Sequence, residues 1–212
     1  MTLIAVILYL LYLSLAIELL FFKVPSVASS YNLWSEKDEY KTEMKNTGLN
    51  ISEWSVFKKL IFLASPILII YSTFIMPLLY ASGILEISDT YYWIEDSEVQ
   101  TILKIIPFMF MIIGRGLSFY AVMKIRKNNT QTGDSFELKS NSVYNRSRNP
   151  IQLGMYLFSI GLILLYPSAI LIGGMVFYIL YMDYKIKIEE KFLQEKFGDA
   201  FSEYSLKTKR YI

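Results

Sequence analysis

Residues 150–182 read PIQLGMYLFSIGLILLYPSAILIGGMVFYILYM, a stretch without a single charge. Two apolar runs, Ile151–Tyr166 and Ala169–Met182, are separated by Pro167-Ser168, and proline cannot continue a helix. The stretch therefore reads as an antiparallel helical hairpin, each arm shorter than the roughly 20 residues that cross a bilayer core. An up-and-down path returns its charged flanks to one membrane face. At about 1.5 Å per residue, Arg148 and Glu189 come back to nearly the same depth, so opposite charges meet at the mouth.

Three further apolar runs lie upstream, Leu3–Phe22, Leu60–Ser82 and Ile102–Met123. Composition agrees with a membrane protein: 54% of the residues are hydrophobic and 16% aromatic, and the mean hydropathy of +0.36 is too high for an ordinary soluble domain. The expected fold is an all-α bundle of five transmembrane helices, the last two forming the hairpin. Residues 1–100 would hold the first two segments and a polar loop, and residues 101–212 the functional core. The first run follows Met1-Thr2 without a basic flank or a small-residue cleavage pattern, which reads as a retained anchor. The chain has no cysteine and no histidine. Disulfides, thiolate nucleophiles, imidazole bases and His- or Cys-ligated metals are thereby excluded, and no metal site is expected.

Lysine and arginine set the orientation. They cluster in residues 23–59, in residues 124–150 and from Lys185 onward, whereas residues 83–100 carry none and hold Glu86, Asp89, Glu95, Asp96 and Glu98. The positive-inside rule then puts the N-terminus outside and both basic loops and the C-terminus in the cytosol. The net charge of +2 is accounted for by this bias, and no nucleic-acid partner is implied. Residues 26–55, polar with Trp34 and Trp54 near the ends, suit a segment lying at the interface.

The polar residues at the hairpin mouth carry the chemistry. Pro150 suits the first helical turn, where its missing N–H costs nothing, and Asn149 can serve as the N-cap. Free N–H groups there favour a carboxylate or phosphate. Arg146, Arg148 and the pair Glu189-Glu190 read either as a polar pocket or, more plainly, as juxtamembrane anchors and a solvated helix face. Neighbours on a helix point about 100° apart, so only one of the two glutamates faces a given pocket squarely. Gly114-Arg115-Gly116 is ambiguous as well, because small residues in membrane helices commonly serve close packing. Arg115 lies deep in an apolar run, where a charge is costly and calls for a polar surrounding. Glu18 lies near a segment end, within reach of the interface by snorkelling.

Together these residues form an ordered pattern. Tyr144-x-x-x-Arg148-Asn149-Pro150-x-x-Leu153-Gly154, the hairpin, then Glu189-Glu190-x-x-Leu193-x-x-x-Phe197-Gly198-x-x-Phe201-x-x-Tyr204 and Arg210-Tyr211-Ile212 resemble the isoprenylcysteine carboxyl methyltransferase and phospholipid methyltransferase superfamily. These are integral membrane enzymes that use S-adenosylmethionine. Gly114-x-Gly116 followed by Gly133-Asp134-x-Phe136 is similar to the Gly-x-Gly region of phosphatidylethanolamine methyltransferases. Two positions depart from the family: Arg-His-Pro is Arg-Asn-Pro here, as in bacterial members, and the aromatic two residues after that proline is Gln152. Any role that needs an imidazole does not transfer.

The resemblance implies S-adenosylmethionine as cofactor, a lipophilic methyl acceptor drawn from the membrane, a cytosolic C-terminal cap over the cofactor and, from the Arg-Asn-Pro variant, a bacterial inner membrane. The cofactor-contacting set it implies is Gly114, Gly116, Tyr144, Arg148, Asn149, Pro150, Leu153, Gly154, Glu189, Glu190, Phe197 and Tyr204, with Arg148 and Glu190 nearest the chemistry. Arg148 and the N–H groups after Asn149 would take the cofactor carboxylate, one of the glutamates its ammonium or ribose, and the tyrosines and Phe197 its flat faces. Two other readings share these features: an NADPH-dependent membrane reductase of the sterol-reductase type, and a membrane scaffold without catalysis.

Overall fold

A computed structural model describes residues 3–22, 55–85, 97–131 and 142–212. The expected interfacial stretch up to Trp54, the acidic residues Glu86 to Asp96 and the Gly133-Asp134-x-Phe136 element lie outside the described residues. Among the described residues the chain is helical without strands: α1 (Leu3–Phe22), α2 (Val56–Ile70), a π-helical turn (Tyr71–Ile75), α3 (Met76–Ser82), α4 (Ser97–Gln131), a 3-10 turn (Ser142–Asn145), α5 (Pro150–Leu165), α6 (Ala169–Phe197) and α7 (Asp199–Lys207). Three stretches are long and apolar enough to cross a membrane, Ala64–Ser82, Ile102–Lys124 and Ala169–Phe197, while Ala5–Glu18 and Pro150–Leu165 are apolar but shorter. Three of the five expected spans are thus long and apolar enough among the described residues, and α1 is a 20-residue apolar helix.

The outer surface identifies the solvent. Along α4 the side chains of Ile102, Ile105, Met109, Ile112 and Ile113 are exposed, where a bundle in water would carry polar residues. The inward stripe of the same helix holds Pro107, Met111, Gly114, Ser118, Ala121 and Val122, all buried at the three- and four-residue spacing of one helix face. This stripe packs on α5, the most extensive helix pair among the described residues.

Small residues make that seam possible. A Cβ on Gly114 would strike the carbonyl oxygen of Gly154 and the nitrogen of Phe158, and one on Gly154 would strike Ser118 and the carbonyl of Gly114. The Ser118 hydroxyl donates to the carbonyls of Gly114 and Ile151, each at 3.0 Å. Two turns further on, Gly161 faces Met111 and the carbonyl of Pro107. Gly154→Ala should force the two backbones apart and cost about 1 to 3 kcal/mol, the range for overpacking a tight interior. Thermal unfolding in detergent checks this, with Gly116→Ala, which meets nothing within 4 Å, as the control expected to stay within about 1 kcal/mol of the parent.

The second span is not one regular helix. At Tyr71–Ile75 it widens into a π turn, which loosens the usual i to i−4 ladder, and there the Tyr12 hydroxyl of α1 donates to the carbonyl of Thr73. Ser72 of this turn nests against Gly174 of α6, where no Cβ would fit. Tyr12 also meets the rings of Phe74 and Phe158 edge-on, in a core shared with Leu8, Met76, Met111, Met155 and Leu162.

Arg115 is satisfied within this bundle. Its guanidinium donates to Glu18 at 2.5 Å, to the Ser14 hydroxyl at 3.0 Å and to the Ser14 carbonyl at 3.1 Å, and both charged side chains are buried. Glu18 therefore does not snorkel to the interface. Its burial is compensated by the arginine in the apolar part of α4.

The hairpin turns at Tyr166 to Ser168, and Ser168 caps α6 by accepting the Leu171 N–H at 3.3 Å. The apolar run ends at Met182, yet α6 continues to Phe197. Nothing between those residues breaks a helix, Ile186, Glu189, Phe192 and Leu193 bury one face, and Asp183 and Lys187 pair at 2.7 Å across one turn. Gly198 then stops the helix with φ 51° and ψ −120°, a backbone state open to glycine alone, and this bend directs α7 back toward the hairpin mouth.

Candidate active site

The mouth is built on the start of α5. Pro150 occupies the first turn and Asn149 the N-cap position, but the Asn149 side chain makes no cap bond. Its amide instead donates to the carbonyl of Arg210 at 3.4 Å. The C-terminal residues run across this helix end as a strap: the backbone N–H of Arg148 donates to the Lys209 carbonyl at 2.9 Å and that of Asn149 to the Arg210 carbonyl at 3.1 Å. Tyr204 of α7 adds a bond from its hydroxyl to the carbonyl of Tyr144 at 2.8 Å. The end of α6, α7 and the strap are thus tied to residues 144–149.

Charge concentrates where the strap meets α6. Glu190 receives Arg148 at 3.0 Å and Arg210 through both carboxylate oxygens, at 3.2 and 2.6 Å. Arg210 also reaches Asp183 at 3.1 Å. The bond to Glu190 raises the Arg210 pKa above its ordinary value, so this guanidinium is permanently charged. Asp183 is not among the residues that the motifs point to. Its signal is its spacing, seven residues before Glu190 and hence on the same face two turns away, which matters only once α6 is known to run unbroken.

Glu189 takes the other direction. It is buried, and its charge raises the pKa values of both Tyr144 and Tyr204. Burial is the larger cause for each phenol: Tyr144 lies well above 10, and Tyr204 is pushed up to about 12, Glu189 adding to the effect and Arg148 opposing it. Both phenols are therefore neutral at physiological pH and present protons as donors. The Tyr144 ring packs on Ile151, Ala121 and Val122, and its hydroxyl has no hydrogen-bond partner among the described residues. The same holds for Arg148 Nε and Gln152 Nε2. These buried donors without partners all lie between residues 144 and 152, where the N–H groups of the first turn of α5 also emerge.

The expected residues thus divide. Tyr144, Arg148, Asn149, Glu189, Glu190 and Tyr204 come together through contacts or mutual electrostatics, Pro150 starts the helix beneath them, and Leu153 donates its N–H to the Asn149 carbonyl at 3.0 Å. Phe197 is half-buried in the last turn of α6. Gly114 and Gly154 meet each other in the α4–α5 seam. Gly114 lies about 10 Å along the helix axis from Ala121, where Tyr144 packs, and Gly116 is on the exposed side.

Residues 102–200 match the family model described as phospholipid methyltransferase, a likeness of the same kind as the superfamily resemblance carried by the motifs. No curated protein and no solved structure matches the chain.

Proposed function

We propose, from the match of residues 102–200 to the phospholipid methyltransferase model, that this protein transfers a methyl group from S-adenosylmethionine to a lipophilic acceptor at the hairpin mouth, and that this mouth faces the cytosol. The observation that carries the reading is the pair of buried donors without partners at the very mouth, Tyr144 Oη and Arg148 Nε, beside the buried carboxylate of Glu189. Buried polar groups are otherwise almost always satisfied. Their types fit an amino-acid end: donors for a carboxylate, a carboxylate for an ammonium, and the rings of Tyr144 and Tyr204 as walls for an adenosine.

The two glutamates divide the work. Glu190 is already neutralised by two arginines, so its task is to hold Arg148 and fasten the strap. Glu189 is assigned to the ammonium. When bound, S-adenosylmethionine supplies a methyl group on a sulfonium that is already a good leaving group, so the protein's part is alignment and the exclusion of water. An acceptor carboxylate needs no base. An acceptor amine must release a proton, and the neutral phenols of Tyr144 and Tyr204 are not the groups to receive it.

Calorimetry on the detergent-purified full chain tests the reading. Saturable binding of S-adenosylmethionine, displaced by S-adenosylhomocysteine and not by NADPH, is expected, together with transfer of labelled methyl to a lipid extract. Glu189→Gln should weaken cofactor binding by roughly tenfold or more, the scale of one charge-assisted hydrogen bond, at little change in melting temperature. Glu190→Gln should lower the melting temperature more, by loosening the strap. Binding of NADPH alone, or of neither ligand to the folded protein, would overturn the proposal.

A further inference from the structure

Arg148, Gln152 and Tyr156 follow at intervals of four along the start of α5. Each meets the opposite wall: Arg148 pairs with Glu190, Gln152 accepts from the Tyr178 hydroxyl at 2.7 Å, and Tyr156 shares a hydrogen bond of 3.3 Å with Tyr211. A polar line therefore enters the hairpin from the mouth. The cofactor reading uses its first member and leaves Gln152 without a task.

Gln152 is 1% exposed, flanked by the buried apolar side chains of Ile151 and Met155. Its Oε1 is held by Tyr178, whereas its Nε2 has no partner among the described residues. This orientation of the amide is the better of the two. A phenol has a single proton, and turning the amide over would leave both that proton and the amide oxygen unused. Tyr178 thus fixes the amide so that a two-proton donor is left over in an otherwise apolar interior. Such a group keeps its place when a ligand oxygen completes it.

We propose that Gln152 Nε2 recognises a carbonyl or carboxylate oxygen on the lipophilic methyl acceptor, holding its polar end about one helical turn inside the mouth from Arg148. Naming the ligand as the acceptor rests on the function proposed above; the oxygen chemistry rests on the donor alone. An ammonium headgroup is excluded as the direct partner, because Nε2 has only protons to offer. An oxygen on an apolar chain suits a donor set among the buried side chains of Ile151, Met155 and Tyr178.

The test is binding to the purified full chain in detergent, read as thermal stabilisation, with three lipids: dioleoylphosphatidylethanolamine, its diether analogue lacking the ester carbonyls, and an S-farnesylated cysteine carboxylate. The expected result is at least about fivefold tighter binding of one carbonyl-bearing lipid than of the diether, the scale of one hydrogen bond. Gln152→Leu, with Gln152→Met as the second variant should the first fail to fold, should abolish that preference while calorimetry shows S-adenosylmethionine affinity unchanged. A preference for the diester identifies a glycerolipid as the source of the oxygen, and one for the farnesylated ligand identifies a prenyl carboxylate. Equal binding of all three lipids to the parent protein, or a preference that survives in the variants, overturns the proposal. Because these lipids are compared without turnover, loss of the methyltransferase reading would show separately, as absent cofactor binding.

Discussion

Arg148→Ala is expected to weaken S-adenosylmethionine binding by well over tenfold. The guanidinium brings an Nε–H that no described group accepts and a positive charge at the start of α5, and a hydrogen bond to a charged group is worth about 1.5 to 3 kcal/mol. The fold should tolerate the loss. Glu190 keeps Arg210 at 2.6 Å, so no carboxylate is left alone, and the strap's bonds to the backbone N–H groups of Arg148 and Asn149 do not depend on the side chain. Arg148→Lys should recover little, because an ammonium cannot reach Glu190 and offer a second, separately directed donor in the way a planar guanidinium does. Calorimetry and a melting curve on the same preparation decide the matter. Unchanged affinity in Arg148→Ala would sink the assignment of the cofactor to this mouth.

How far the sequence alone leads is shown by the two ends of that interaction. The charge-free stretch from Pro150 to Met182 and its break at Pro167 are local signals, and they suffice to bring Arg148 and the glutamates to one depth. The division between Glu189 and Glu190 is not local. It depends on the rotation of α6 about its axis, which is fixed by Ile186, Phe192 and Leu193 turning inward and by Arg210 arriving from the chain's end to claim Glu190. Gly114-x-Gly116 shows the opposite difficulty. A small residue permits either a helix or a ligand to approach, and only the position of Gly154 reveals that α5 covers Gly114. The Arg115–Glu18 pair is hidden for a further reason: its partners stand 97 positions apart, and no periodicity within either helix points across to the other.

That pair should give the largest effect on stability. Glu18→Ala leaves the Arg115 guanidinium buried among apolar helices without its carboxylate, the Ser14 hydroxyl and carbonyl being neutral acceptors, and breaking a buried ion pair on one side costs about 3 to 5 kcal/mol. Arg115→Ala takes the guanidinium from the buried carboxylate of Glu18 in the same way. Removing both charges is a different experiment. In Glu18→Leu with Arg115→Met no ion remains to be desolvated, and such replacements are neutral or even stabilising in other proteins, so the double variant should recover most of the loss. Unfolding in detergent of Glu18→Leu, of Arg115→Met and of the double variant measures the coupling. If the losses simply add, the pair contributes no interaction of its own, and α1 is held to the bundle by Tyr12, Leu8 and Leu15 in the shared core. If the double variant is stable, a comparison of its proposed methyl transfer with that of the parent assigns the pair a role: equal rates make it a device that fixes where α1 docks, whereas a slower rate in a protein of equal stability makes the buried charges part of what supports the proposed site.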